Sequence, residues 1–200
     1  MKKKILAVTA AAAALVLLGT AAPANANGWT PPAPAGTIVD VAVAASGGGT
    51  PDDNPYDYDI LIQALTATGL APVLADTSRK FTVFAPNDRA FERLVTDLTG
   101  TAPTSEAAAL TTITTALTVD QIKNVLLYHV VPDRKLGPLQ VLFAGSITMA
   151  NGGVIKPRLI TLRDENTSLQ DPKLVLSAIN IQATNGVIHT IDRVLVPATL

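Results

Sequence analysis

Two histidines, His129 and His189, make up the whole imidazole inventory of this 200-residue chain, and it contains no cysteine. Acid–base or nucleophilic chemistry near neutral pH would therefore have to centre on one of them. His189 lies in the stretch AINIQATNGVIHTIDRVLVP, residues 178–197, with Asp192 three positions further on. A base and its orienting acid must touch, yet a strand with side-chain period two sends residues 189 and 192 to opposite faces. Asn185-Gly186 predicts a type I′ hairpin, because both central residues of that turn need positive φ. That register pairs Thr184 with Val187, Gln182 with His189 and Asn180 with Ile191, and it sets His189 on one face with Val187, Ile191 and Leu195. His189 thus reads as a structural residue, a buried neutral imidazole bonded to backbone, and Asn185 and Gly186 read as structural turn residues.

His129 follows Tyr128 at the end of a helical pattern, where a donor side chain can satisfy the last carbonyls of the helix. Two histidines about 60 residues apart, without cysteine, supply no zinc motif. Asp52, Asp53, Asp57 and Asp59 could offer oxygens to calcium, but the glycine and terminal glutamate of an EF-hand loop are missing. The stretch reads as a solvated acidic loop, and neither a metal nor a cofactor is expected. There is no G-x-S-x-G elbow to carry a serine nucleophile. Lysines and arginines number 15 against 16 acids and are scattered, so no nucleic-acid partner or anionic membrane surface is indicated.

Lys2, Lys3 and Lys4, an uncharged apolar run from Ile5 to Leu18, and Ala24-Asn25-Ala26 have the order of a secretory signal peptide cleaved after Ala26. The run is shorter than the roughly 20 residues of a membrane span, although an uncleaved anchor is the alternative. Residues 27–36 read as a proline-rich spacer and 37–200 as one folded domain. A secreted, extracellular or envelope-associated protein is expected.

Apolar spacing predicts a helix through Ile38, Val41, Ala42 and Ala45 and another through Ile60, Leu61, Ala64 and Leu65. KFTVFAP, residues 80–86, predicts a buried strand closed by Pro86, with Asn87 as N-cap of a helix burying Phe91, Leu94, Val95 and Leu98. The Thr- and Ala-rich residues 99–118 are compatible with a surface segment or a weak helix from Ser105. Thr118 and Gln121 fit a capping box for a helix carrying Ile122, Val125, Leu126 and His129 on one face. After Pro132 the chain reads as strands: LQVLFAGSITMA, VIKPRLITLR, KLVLSAINIQAT and VIHTIDRVLV. Helices first and strands last is the order of an α+β fold.

Three of these segments, FTVFAPNDRAF (81–91), IKNVLLYHVV (122–131) and NGVIHTIDRVLVP (185–197), resemble in this order the signature blocks of fasciclin domains. The resemblance, which runs from about Thr37 to Pro197, implies helices packed around a β-wedge or sandwich of about seven strands. It also implies a secreted or surface-displayed, non-enzymatic adhesion module without a cofactor, and it marks Tyr128 and His129 as candidate adhesion residues. The partner would be a cell-surface or extracellular-matrix protein or glycan, or an envelope component, met by a monomer. The chain departs from the family pattern in its longer acidic connection SGGGTPDDNPYDYD and in Asn180, where many relatives have Asp. An oligomerising structural unit and a histidine-dependent hydrolase are the competing readings.

Overall fold

The computed structural model describes residues 34–198; the expected signal peptide and most of the proline-rich spacer lie outside the described residues. The first helix, α1 (Ile38–Ala45), opens on Thr37, whose hydroxyl accepts from the Asp40 amide while the Asp40 carboxylate accepts from the Thr37 amide at 2.8 Å. This reciprocal cap satisfies donors that the first turn leaves without intrahelical partners. α2 (Asp59–Ala67) and the single turn α3 (Ala71–Leu74) follow, then strand β1 (Phe81–Pro86). α4 (Asp88–Thr99) is capped by the Asn87 side chain, α5 (Glu106–Ala116) by Ser105, and α6 (Val119–Leu127) by the box between Thr118 and Gln121. The Thr-rich stretch is thus a well-capped helix that buries Ala109 and Ile113, with threonine hydroxyls donating to carbonyls one turn back along its outer side.

The remaining elements are β2 (Val130–Pro132), α7 (Pro138–Leu142), β3 (Ile147–Thr148), β4 (Val154–Arg158), β5 (Thr161–Arg163), β6 (Ile181–Ala183) and β7 (Gly186–Ile191). A four-stranded sheet has the order β2-β1-β7-β6 and a three-stranded sheet the order β3-β4-β5. The architecture is α+β. At its centre β1 and β7 run parallel, from Phe81 opposite Gly186 to Pro86 opposite Ile191, and every residue of both strands is buried. The pleat of β1 divides its side chains between two apolar clusters: Phe81, Val83 and Ala85 join the helices, while Phe84 joins Ile155, Leu162, Ile191 and Leu195.

Two segments differ from the expectation of strands, and the last hairpin differs in its register. LQVLFAGSITMA begins with α7, because Pro138 takes the first helical position and the Gln140 side chain accepts from the Gly137 amide at 2.8 Å. KLVLSAINIQAT forms an isolated bridge from Leu174 to Ile191 and a 3-10 turn at Leu176–Ala178 before the short β6. The last hairpin pairs Ala183 with Gly186, Gln182 with Val187 and Ile181 with Ile188, so the expected register is corrected and Thr184 and Asn185 form the turn. Neither Asn185 nor Gly186 has positive φ, so the turn is not type I′.

The physical reason is that both residues are held by groups outside the hairpin. Asn185 Oδ1 accepts from the Ile38 amide at the start of α1, and Nδ2 donates to the carbonyls of Leu74 and Asp76. A Cβ on Gly186 would stand 2.2 Å from the Phe81 carbonyl oxygen, so the absence of a side chain here permits the close approach of β1.

Candidate functional site

The Tyr128–His129 pair closes α6 and enters β2, and its side chains point inward: Tyr128 is 0% and His129 2% exposed. Tyr128 Oη donates to the Val154 carbonyl and accepts from the Glu165 amide, joining the end of α6 to β4 and to the segment after β5. Burial pushes its phenol above the ordinary tyrosine range. His129 Nδ1 donates to the Val125 carbonyl at 2.7 Å, and Nε2 accepts from the Leu195 amide at 2.9 Å. The expectation that these two side chains themselves make surface contacts is corrected by this burial. Residue spacing had placed His129 on the buried face of its helix; what spacing could not show is that Tyr128 turns inward too, beneath the small sheet.

His189 is likewise buried. Its Nε2 donates to the Leu136 carbonyl at 2.8 Å, and its Nδ1 accepts from the amide of Asn180, a residue at φ 60°. Asparagine tolerates that left-handed conformation. Phe84 stacks on the ring at 5.9 Å. Asp192 faces elsewhere, accepting from the Lys173 amide and pairing with Arg93. Each imidazole therefore holds one proton between a backbone carbonyl and a backbone amide, and burial depresses the pKa of both, that of His129 to about 4. Pro86 ends β1 and Asn87 caps α4, its Oδ1 accepting from the Ala90 amide.

A second polar assembly gathers residues from distant parts of the sequence. Asp59, Asp88 and Glu106 are the first residues of α2, α4 and α5, and with Asp57 they bring four buried carboxylates together. The expected solvated loop is thus buried at Asp57 and Asp59, and Asp88 and Glu106 carry no local signal, because only the fold brings three helix starts together. Beside this assembly α2, α4, α5 and α6 enclose an apolar cavity of about 260 Å³ against Phe91, Leu94, Ile113 and Leu126. No titratable side chain lines it.

On the outer surface α7 presents Leu139, and Phe143 follows at its C-cap, 68% and 83% exposed. Four residues apart, they share one side of the helical turn.

Comparison with known proteins agrees with this architecture. The fasciclin domain family model matches residues 56–197, more than half of the chain, beginning after α1. Protein sll1483 of Synechocystis sp. is 26% identical over 140 residues, covering 70% of this chain and 67% of that protein. Among solved structures, a FAS1 domain pair from the insect cell adhesion molecule fasciclin I superposes with a TM-score of 0.56 at 15% identity, over 81% of this chain and 51% of that one. The chain spans about half the length of that pair, and at such identity the likeness speaks for the fold alone. With its parallel β1–β7 pair, its helical layer and the matched residues 56–197, the chain belongs to the fasciclin domain family.

Proposed function

We propose that the protein is an exported, non-enzymatic interaction module that binds a cell-surface, matrix or envelope component. The observation that carries this reading is the exposed apolar pair of Leu139, on α7, and Phe143, at its C-cap, beside a helix that buries Val141. Apolar side chains left in water on a rigid scaffold suit a contact with another molecule. Family membership and the signal-like N-terminus support the same reading. Against a hydrolase, both ring nitrogens of His129 and of His189 are engaged with backbone, so neither is free to act as a base. Tyr128 and His129 serve adhesion by holding the small sheet and β2 in place.

The test is binding of fluorescently labelled protein from residue 27 onward to envelope fractions of the producing cell and to matrix-coated surfaces. Saturable binding that Leu139→Asp with Phe143→Asp abolishes, at unchanged circular dichroism, is the expected result. Binding that survives the double variant, or a folded parent that binds neither surface, would overturn the proposal. A mass that rises with concentration and falls in the same variant would assign the patch to self-association instead.

A further inference from the structure

The buried carboxylates at the starts of α2, α4 and α5 lack the counter-charge that such groups need. Asp57, Asp59, Asp88 and Glu106 are 5%, 0%, 0% and 2% exposed. Unpaired carboxylates in a protein interior are costly, so buried acids are ordinarily paired with a cation, protonated or bound to a metal. None of the ion pairs among the described residues reaches them. Arg89, next in sequence to Asp88, turns instead to Tyr56, donating to its hydroxyl at 3.0 Å.

Their hydrogen bonds leave oxygens over. Asp88 caps α2, each of its oxygens accepting one bond, from the amides of Asp59 and Ile60, with a further lone pair on each left over. Asp57 Oδ2 accepts from the Asn54 side chain and Glu106 Oε2 from the Asp52 amide. Asp57 Oδ1, both oxygens of Asp59 and Glu106 Oε1 are buried with no hydrogen-bond partner. Backbone bonds clamp the loop in place: the Asp88 amide donates to the Asp57 carbonyl and the Arg89 amide to the Pro55 carbonyl.

Oxygens of Asp57, Asp88 and Glu106 lie within 4.8 Å of one another, and so do oxygens of Asp52, Asp57 and Asp59. Two donors on opposite sides of one calcium ion, each at about 2.4 Å, are about that far apart. The three helix starts contribute about half a positive charge each, too little to offset four ionised carboxylates, so full ionisation of the cluster calls for a divalent ion. We infer that Asp57, Asp59, Asp88 and Glu106, with Asp52 on the solvent side, form a binding site for one hard divalent cation, calcium in preference to magnesium. The all-oxygen donor set, without histidine or cysteine, excludes a thiolate- or imidazole-seeking metal. Calcium is preferred because carboxylates fixed at three helix starts and a loop suit an ion that accepts many oxygens in irregular geometry, whereas magnesium demands a near-ideal octahedron. Asp52 is exposed and provides the way in from solvent. The site takes Asp52, Asp57 and Asp59 from the connection between α1 and α2 and Asp88 and Glu106 from the starts of α4 and α5, and it does not depend on the adhesive reading.

The experiment is calorimetric titration and thermal melting of chelator-treated protein at pH 7.5 with calcium or magnesium chloride, beside the Asp59→Asn, Glu106→Gln variant. Neutral amides relieve the repulsion, so the variant is expected to fold and, in chelator, to melt at or above the parent temperature. Calcium at about 10 mM, above the dissociation constants near 1 mM of weak extracellular sites, should raise the parent melting temperature by about 5 °C. The titration should saturate near one ion per chain, with a smaller effect from magnesium and none of calcium on the variant. No heat and no shift in the parent would overturn the inference and leave the cluster holding protons. An equal shift in parent and variant would overturn it as well, placing the ion elsewhere.

Discussion

His129 is a histidine that the fold keeps neutral. Its Nε2 faces an amide hydrogen, that of Leu195, so a second ring proton could enter only by breaking that bond. The pKa of about 4 in the folded protein, against an unfolded value near 6.5, means that the unfolded chain takes up the proton first as pH falls. Stability is therefore fully present above about pH 6.5 and is lost as pH falls toward the folded value, by about 3 kcal/mol. Replacement by glutamine removes this titration but disturbs the bonds to Val125 and Leu195, at a cost of roughly 2 kcal/mol at pH 7. Urea midpoints from pH 7 to 4 should thus show the parent's advantage shrinking and then vanishing. Parallel profiles would show that His129 is not the group titrating. At Tyr128 the hydroxyl has two backbone partners, and Tyr128→Phe should cost about 1 to 2 kcal/mol. Hydrogen exchange should accelerate first at the Glu165 amide, which loses its acceptor.

At the scale of elements the tightest joint is the start of β7 against the start of β1. Gly186→Ala would drive a methyl group onto the Phe81 carbonyl, and because that atom is backbone, the strands themselves must separate. A loss of about 3 kcal/mol or more is expected, read as a lower denaturant midpoint. Asn185→Ala strands the Ile38 amide and the Leu74 carbonyl, and should loosen α1 while the sheet stays paired. Amide exchange confined to residues 38–45 would be its signature.

These joints also mark how far local sequence could be read. Caps are local chemistry, so Asn87 and Thr118 announced their helices and β1 was evident from its apolar run and Pro86, whereas the Thr- and Ala-rich stretch after Thr99 left a surface segment and a helix from Ser105 equally open. The Asn185-Gly186 pair signalled a turn correctly but its type wrongly, because the asparagine side chain is engaged by residues more than 100 positions away. α7 was hidden by apolar β-formers that a proline start overrides. The burial of Tyr128 and the meeting of Asp57 with Asp88 and Glu106 arise only from packing, which no periodicity encodes.

For the whole molecule, the defining contact is the parallel pairing of β1 with β7 across about 100 residues of chain. β7 stands between β1 and β6, so removing it would uncover both neighbours and open each apolar cluster. A chain ending at Asn185 is expected to show no cooperative melting transition, and adding a separate peptide of residues 186–198 should restore one if the rest of the sheet is poised to receive it. A cooperative melt in the shortened chain alone would show that the helical layer folds without the central strand.

The same pairing gives the fold a schedule. At synthesis rates of about 5 to 20 residues per second, β1 waits roughly 5 to 20 seconds for the strand that will cover its open side. Throughout that interval FTVFAP is an apolar ribbon with an unfilled hydrogen-bonding edge, a natural substrate for whatever machinery holds nascent chains open. Closure comes all at once and late, so the chain stays threadable for nearly all the time it takes to make.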